Sequence, residues 1–219
     1  PDQSCYTYLI SDRGAYDTFP LTAGNGSYAL QVLENVAGDT YTVSLAQSIN
    51  VNIEDEFLPF LYPNQYVNFH TDSKAVSKGS DLAKDTYSDL DVVQNIYNYV
   101  IKNISYDTEK AQNVSYGYVP DIDDTLSSKK GICFDYAALM ASMLRSQNIP
   151  TKLEVGYSGD AYHAWISTYI DDKGWVDDII QFNGNTWQIM DPTLAATNDS
   201  AAVKKYIGDG SHYVVKYTY

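Results

Sequence analysis

Cysteine, basic residues and long apolar runs are all scarce in this sequence, and each shortage excludes a class of protein. Cys5 and Cys133 are the only cysteines among 219 residues, so neither a disulfide framework nor a cysteine-built zinc site is predicted. The 14 Lys and Arg residues are outnumbered by 28 Asp and Glu residues, giving a formal net charge of −14. Such an acidic chain repels phosphate backbones, so no nucleic-acid partner is expected. No apolar run approaches the roughly 18–20 residues that cross a bilayer, so no membrane insertion is expected.

The first residue, the acidity and two acid-rich runs bear on the location of the protein and on ion binding. The sequence begins at Pro1 rather than Met, and its acidity fits a secreted protein. We therefore expect an extracellular or cell-surface location, with a leader peptide removed. No cofactor and no metal is expected. Two acid-rich runs, residues 121–124 and residues 177–178, could bind calcium, but solvated loop charge is the favoured interpretation.

The first third of the chain shows the period of two that is typical of β-strands. Residues 27–32, 40–48 and 49–53 alternate between apolar and polar side chains, with Gly-rich turn signals before the first two runs. The 21 tyrosines, against 6 Phe and 3 Trp, suit half-exposed sheet surfaces and binding clefts. We therefore predict a small, sandwich-like β module over residues 1–72, followed by a polar link.

The period then changes to that of a helix, and a second domain is predicted over residues 80–219. Its first helix carries apolar residues at helical spacing from Val92 to Ile101, and its second runs from Cys133 to about Gln147. Residues 104–126 are predicted to be a loop. Strands are predicted over residues 151–157, 162–170 and 186–191, near Trp175 and over 213–217, with a short helix near 201–207. The fold class is therefore α+β, with a helix packed on an antiparallel sheet.

Cys133 is a candidate nucleophile because it opens the second of these helices. The free N–H groups and the positive end of the helix dipole favour a thiolate at that position and can bind an oxyanion. Gly131 permits the tight turn that precedes it. A lone cysteine at a helix start is more often a small buried hydrophobe, so this signal needs partners.

His163 and Asp191 are the candidate partners of Cys133. His163 lies in the strand AYHAWISTYI, where a period of two places it on one face with Trp165 and Ser167. Asp191 ends the next long strand, directly before Pro192, where its carboxylate can accept the second N–H of the imidazole. Each residue alone also fits a structural role.

The local strings around these residues resemble the transglutaminase-like superfamily. They are residues 131–137 (GICFDYA), Leu144-Arg145, Ile149-Pro150, His163-Ala164-Trp165 and Asp191-Pro192-Thr193. The resemblance covers about residues 85–195 and implies a papain-like core with Cys133, His163 and Asp191 as its catalytic triad. It also implies that Trp165 forms a cleft wall. Papain-type peptidases, whose histidine lies much further along the chain, fit less well. Cell-wall amidases that use a second histidine as orienter also fit less well.

The resemblance implies attack of the Cys133 thiolate on an amide or ester carbonyl, through a thioester intermediate. Extracellular hydrolysis of a protein or peptide, including cell-wall peptide, is the favoured reaction. Protein cross-linking and a catalytically silent cell-surface binding protein are the alternatives. The backbone N–H of Cys133 is the first candidate oxyanion donor, and Tyr116 and Tyr118 are candidates for the second. The loop over residues 105–128 is expected to border the cleft.

Overall fold

A computed structural model describes residues 4–10, 14, 16–171, 173–176, 180–182, 187–189, 193, 196 and 212–219. For residues 180–182 and 187–189 it describes the backbone alone. The chain divides into two compact units, one formed by residues 1–7 and 21–56 and the other by residues 8–20 and 57–219. No helix of the described residues is long and apolar enough to cross a membrane.

The smaller unit contains one β-hairpin. Strands β1 (Gly26–Ala37) and β2 (Thr40–Val51) pair antiparallel, and the turn between them places Gly38 at a φ of 52°. Glycine is favoured at positive φ because it has no Cβ to clash with the backbone. The run at residues 49–53, predicted to be a third strand, continues β2 to Val51 instead. The described part of this unit is therefore a two-stranded sheet, where the sequence predicted a sandwich-like module.

The predicted end of the β module at residue 72 differs from the observed division. Residues 57–72 belong to the larger unit, and they begin with a 3-10 turn at Leu58–Phe60. Phe60 and Val67 are buried, and the backbone oxygen of Tyr62 accepts a 2.8 Å hydrogen bond from Arg145 Nη1. Burial and this hydrogen bond explain why the segment packs with the larger unit.

Five helices are described in the larger unit. They are α1 (Lys74–Leu82), α2 (Asp89–Asn103), α3 (Thr108–Asn113), α4 (Ile122–Ser128) and α5 (Cys133–Arg145). The predictions of α2 and α5 are confirmed. In contrast, α1 lies where a polar link was predicted, and α3 and α4 lie where a loop was predicted. Helix α5 is the most deeply buried of the five and contacts α1, α2 and α4.

A four-stranded antiparallel sheet completes the larger unit, in the order β10–β5–β6–β7. Its strands are β5 (Thr151–Ser158), β6 (Ala161–Ile170), β7 (Gly174–Val176) and β10 (Tyr213–Thr218). Two small pairs accompany it: β3 (Ser105–Tyr106) with β4 (Lys130–Gly131), and β8 (Ile180–Phe182) with β9 (Trp187–Ile189). Helix α5 packs against β5 and β6, which confirms the α+β class.

Gly156 allows β10 to approach β5 closely. A Cβ added at Gly156 would lie 2.0 Å from the carbonyl oxygen of Val214, so no larger residue fits without moving β10. Gly156 is also the cross-strand partner of His163 on β6. The close approach therefore occurs directly beside the candidate histidine. The helix predicted near residues 201–207 lies outside the described residues.

Candidate active site

Cys133 is the first residue of α5, as predicted. The preceding residue, Ile132, is the helix N-cap and has an extended backbone, with φ −92° and ψ 175°. Because the first N–H groups of a helix have no carbonyl partner one turn earlier, they are available near the thiol. Cys133 is partly exposed, so a substrate can reach its sulfur.

The turn before Cys133 requires glycine for a reason other than backbone conformation. A Cβ on Gly131 would lie 2.7 Å from Cβ of Asp135 and 3.3 Å from a methyl group of Thr125. Real Cβ atoms do not approach other carbons so closely. The missing side chain at Gly131 therefore makes room for Asp135 beneath the helix start.

Asp135 is fully buried and receives three donors. Its Oδ2 accepts the N–H of Ile132 at 2.8 Å and the ammonium of Lys110 at 2.8 Å. Its Oδ1 accepts the hydroxyl of Tyr118. A buried carboxylate is tolerated when its lone pairs are satisfied in this way. The Asp135 carboxylate thus fixes the helix start at Cys133 and attaches it to Lys110 in α3 and to Tyr118.

His163 lies on β6 and is almost completely buried, with 1% of its surface exposed. Its ring stacks on Trp165, with centroids 6.0 Å apart and planes inclined by 28°. This contact agrees with the placement of both residues on one face of the strand.

Cys133 and His163 line the same cavity, whose volume is about 330 Å³. A cavity of this size is at the lower end of the range for small-molecule and peptide side-chain pockets. Its wall also contains a group of aromatic residues, namely Tyr66, Tyr106, Tyr118, Phe134, Tyr162 and Tyr219. The structure therefore brings together two of the three residues predicted to form a triad. The third, Asp191, lies outside the described residues.

Burial raises the pKa of several phenols around this cavity. The pKa of Tyr66 is raised by burial and by the nearby Tyr116, and that of Tyr162 by burial and neighbouring tyrosines. The pKa of Tyr118 is strongly raised, first by burial and then by its hydrogen bond to Asp135. These hydroxyls consequently stay protonated and act as neutral donors at physiological pH.

Trp165 was predicted to form a cleft wall, and Tyr116 and Tyr118 were predicted to be oxyanion donors. Of these three residues, only Tyr118 lines the described cavity. Tyr118 lines the cavity, but the hydrogen of its hydroxyl is donated to Asp135. Tyr116 is 84% exposed and Trp165 is 3% exposed, and neither is among the residues that line the cavity. Trp165 instead supports the His163 ring. The assignment of an oxyanion donor to Tyr116 or Tyr118 stays a prediction.

The acidic run at residues 121–124 caps helices. Asp121 accepts the N–H groups of Asp123 and Asp124 and is the N-cap of α4. Asp123 accepts the N–H groups of Lys74 and Ala75 at 3.0 and 2.9 Å, at the start of α1. These carboxylates have a structural role, and residues 177–178 lie outside the described part. Among the described residues, no group of three or more His, Cys, Asp or Glu side chains could hold a metal ion.

Lys110 and Tyr66 were not predicted to be parts of the site. Lys110 lies in a segment that was predicted to be a loop, and Tyr66 lies in a segment assigned to the β module. A signal for α3 was present, because Asp107 followed by Thr108 and Glu109 is a typical helix start. No local pattern indicates that Tyr66 reaches the cavity.

Comparison with known proteins agrees with this geometry. The family model described as the transglutaminase-like superfamily matches residues 77–177. The protein MJ1282 of Methanocaldococcus jannaschii is 30% identical over 118 residues, which cover 47% of this chain and 34% of that protein. Kyphoscoliosis peptidase of Mus musculus is 30% identical over 107 residues, which cover 43% of this chain and 16% of that protein. The chain thus spans about a third or less of these curated relatives.

Among solved structures, the periplasmic domain of TgpA from Pseudomonas aeruginosa resembles this chain with a TM-score of 0.48 and 20% identity. The alignment covers 68% of this chain and 49% of that one. The family match includes Cys133 and His163, and it supports an enzyme that works through cysteine chemistry. The match over residues 77–177 supports assigning this part of the chain to the transglutaminase-like superfamily.

Proposed function

We propose that this protein hydrolyses amide bonds in peptides through a cysteine–histidine–aspartate triad. The observation that carries the proposal is that Cys133, at the start of α5, and His163, on β6, line one cavity. In this proposal Cys133 is the nucleophile, His163 is the general base and then acid, and Asp191 orients the imidazole. An extracellular or cell-surface setting stays part of the proposal.

The proposed reaction has two steps. His163 takes the proton of the Cys133 thiol, and the thiolate attacks the amide carbonyl to form a C–S bond. The C–N bond then breaks, and the imidazolium gives its proton to the leaving amine. In the second step His163 activates water, which attacks the thioester, releases the acid and returns the thiol. N–H groups at the start of α5 stabilise the oxyanion in both steps.

Hydrolysis is favoured over amine transfer because one relative with 30% identity is named a peptidase. The shared first step does not distinguish the two reactions, since both pass through the thioester. A direct comparison is therefore needed, with a peptide substrate, water and a primary amine present together. Mass spectrometry of the products should show free acid in excess over the amine adduct. A predominance of amine adduct would contradict hydrolysis and favour cross-linking.

The first test is the rate of iodoacetamide labelling of Cys133 as a function of pH. A Cys5→Ser background removes the other, exposed thiol. We expect fast labelling at neutral pH, because in this proposal the His163 imidazolium stabilises the thiolate. His163→Ala should abolish this labelling, while the matched control His212→Ala, on an exposed residue, should not change it. An ordinary thiol profile that His163→Ala leaves unchanged would refute the proposal.

A further inference from the structure

Apart from the candidate pair Cys133 and His163, the described wall of the cavity carries no acidic or basic side chain, although the chain is highly charged. Among the described residues, no Asp, Glu, Lys or Arg side chain lines the cavity, whereas the whole sequence has 28 acidic and 14 basic residues. The lining consists of tyrosine, phenylalanine and small or aliphatic residues, together with Ser115, Cys133 and His163. The part of a substrate that enters this cavity thus meets apolar surface and neutral hydroxyls.

One side of the wall is a continuous aromatic surface beside the nucleophile. Phe134 directly follows Cys133, and its ring lies 5.2 Å from that of Tyr66 and 6.5 Å from that of Tyr118. The Tyr66 ring in turn lies 4.7 Å from Tyr219 in an edge-on arrangement. Aromatic rings at these separations form stable offset or edge contacts and present a rigid apolar surface.

The two charged side chains that contact Tyr118 in this surface are already bonded within the protein. Lys110 donates to the hydroxyl of Tyr118 and to Asp135, and its ammonium lies 4.5 Å from the centroid of the Tyr118 ring. Asp135 is fully buried and satisfied by three donors. Neither residue offers a counter-ion to a charged substrate side chain that packs on the rings of Phe134 and Tyr66, so a carboxylate there would lose water without a cation to pair with.

We infer that the preferred substrates are peptides with a large uncharged side chain, above all an aromatic one, next to the scissile amide. The inference rests on the proposed function, since it names the substrate class of the same site. The side chain packs on the rings of Phe134 and Tyr66 while the carbonyl meets the thiolate. A glutamate at the same position is excluded by desolvation and by the overall negative charge.

The test uses four peptides that differ in a single residue next to the scissile amide: Phe, Ala, Glu or Lys. We expect kcat/KM to be roughly tenfold higher for the Phe peptide than for the Ala peptide, because ring stacking adds to apolar burial. The Glu and Lys peptides should be cleaved more slowly than the Ala peptide. Tyr66→Ala should lower kcat/KM more for the Phe peptide than for the Ala peptide and so reduce the preference, while Tyr66→Phe should keep the preference. Tyr87→Ala, on a residue that is 96% exposed and outside the cavity, is the matched control.

Equal rates for the four peptides, or a preference for Glu or Lys, would overturn the inference. So would an equal loss for all four peptides in a folded Tyr66→Ala variant. A second measurement does not need turnover: each peptide competes with iodoacetamide for Cys133 in the wild-type protein. Protection by the Phe peptide without cleavage would contradict hydrolysis but support the inference. Cleavage with equal protection by all four peptides would support hydrolysis and overturn the inference.

Discussion

At the residue scale, the environment of Asp135 is central to the site. The carboxylate is buried two residues after Cys133 and accepts hydrogen bonds from Ile132, Lys110 and Tyr118. It joins the start of α5 to a wall of the cavity and to helix α3. We interpret Asp135 as a positioning residue for the proposed reaction, since it fixes the backbone next to Cys133.

Asp135→Asn tests this role. The amide keeps the shape but cannot accept from all three donors, and it leaves Lys110 without its ion pair. We expect a loss of about 2 kcal/mol in the free energy of unfolding, the usual contribution of a hydrogen bond to a charged group. Labelling of Cys133 should also slow by roughly tenfold, because a small displacement of a reacting group is costly.

Urea unfolding and iodoacetamide labelling at several pH values measure the two effects. Asp81→Asn is the control, because Asp81 forms an exposed ion pair with Lys84 that should contribute nothing measurable. If Asp135→Asn lost stability and kept the wild-type labelling profile, the residue would be structural and the positioning role would be rejected.

Some residues of the candidate site could be predicted from the sequence, and others could not. Cys133 and His163 were identifiable because each lies in a regular element whose period, caps and neighbours are encoded locally. The contacts of Asp135 with Lys110 and Tyr118 depend on the course of the segment between β3 and β4. No local pattern in the sequence encodes that course. The reason for Gly131 became clear only with the structure, because its constraint is a side chain four residues away.

At the element scale, Arg145 holds the end of α5 against three other segments. Its guanidinium is buried and donates to the backbone oxygens of Tyr62, Thr151 and Tyr219, each at 2.8 Å. Burial lowers the pKa of Arg145, because the charged form loses its hydration. The rigid fork of donors offsets this cost only while all three carbonyls are in place.

The substitution Arg145→Lys keeps the positive charge but removes the planar set of N–H donors of the guanidinium. An ammonium cannot reach three carbonyls in these directions, so we expect a loss of about 3 kcal/mol in the free energy of unfolding. The midpoint of urea unfolding measures it. Lys84→Met, which removes an exposed cation, should leave that midpoint unchanged. An unaltered midpoint for Arg145→Lys would show that the three hydrogen bonds add no net stability.

The helices differ in how well the sequence predicts them. Helix α2 was predicted from its apolar stripe and starts at the N-cap Ser88, which accepts the N–H of Asp91. Helix α1 was missed because its buried residues are Ala75 and Gly79, which give no hydrophobic period. A Cβ on Gly79 would lie 3.1 Å from the backbone oxygen of Met143, so the missing side chain permits close helix packing. Helices that pack closely through Ala and Gly show no apolar periodicity by which the sequence could predict them.

At the scale of the whole molecule, the raised phenol pKa values predict sensitivity to alkali. Burial is the first cause of the raised pKa of Tyr66, Tyr118, Tyr136 and Tyr162. An unfolded tyrosine loses its proton near pH 10, where these folded tyrosines retain theirs. The unfolded state therefore binds fewer protons above about pH 10, and the free energy of unfolding falls as the pH rises.

Urea unfolding at a series of pH values from about 9 to 11 checks this prediction. Tyr136→Phe should make the fall shallower, because Tyr136 is fully buried and donates to the carbonyl of Ile104. The exposed Tyr87→Phe should not affect the slope. A free energy of unfolding that stays constant across this range would contradict the assignment.

Most of the α+β architecture was predictable from the sequence, whereas the division of the chain was not. The strands of the large sheet follow from alternation in residues 151–157, 162–170 and 213–217, and the helix between them follows from its stripe. Residues 57–72 were assigned to the β module because their prolines and aromatics show no period. Their contacts, such as Tyr66 with Phe134, are distant in sequence.

The position of β10 also has a consequence for how the protein is made. Tyr219 lines the cavity and accepts a hydrogen bond from Arg145, and β10 pairs with β5 from far along the chain. Cys133 and His163 are translated before these residues. A nascent chain therefore carries its thiol and imidazole in an unfinished cleft until the sheet gains its last strand.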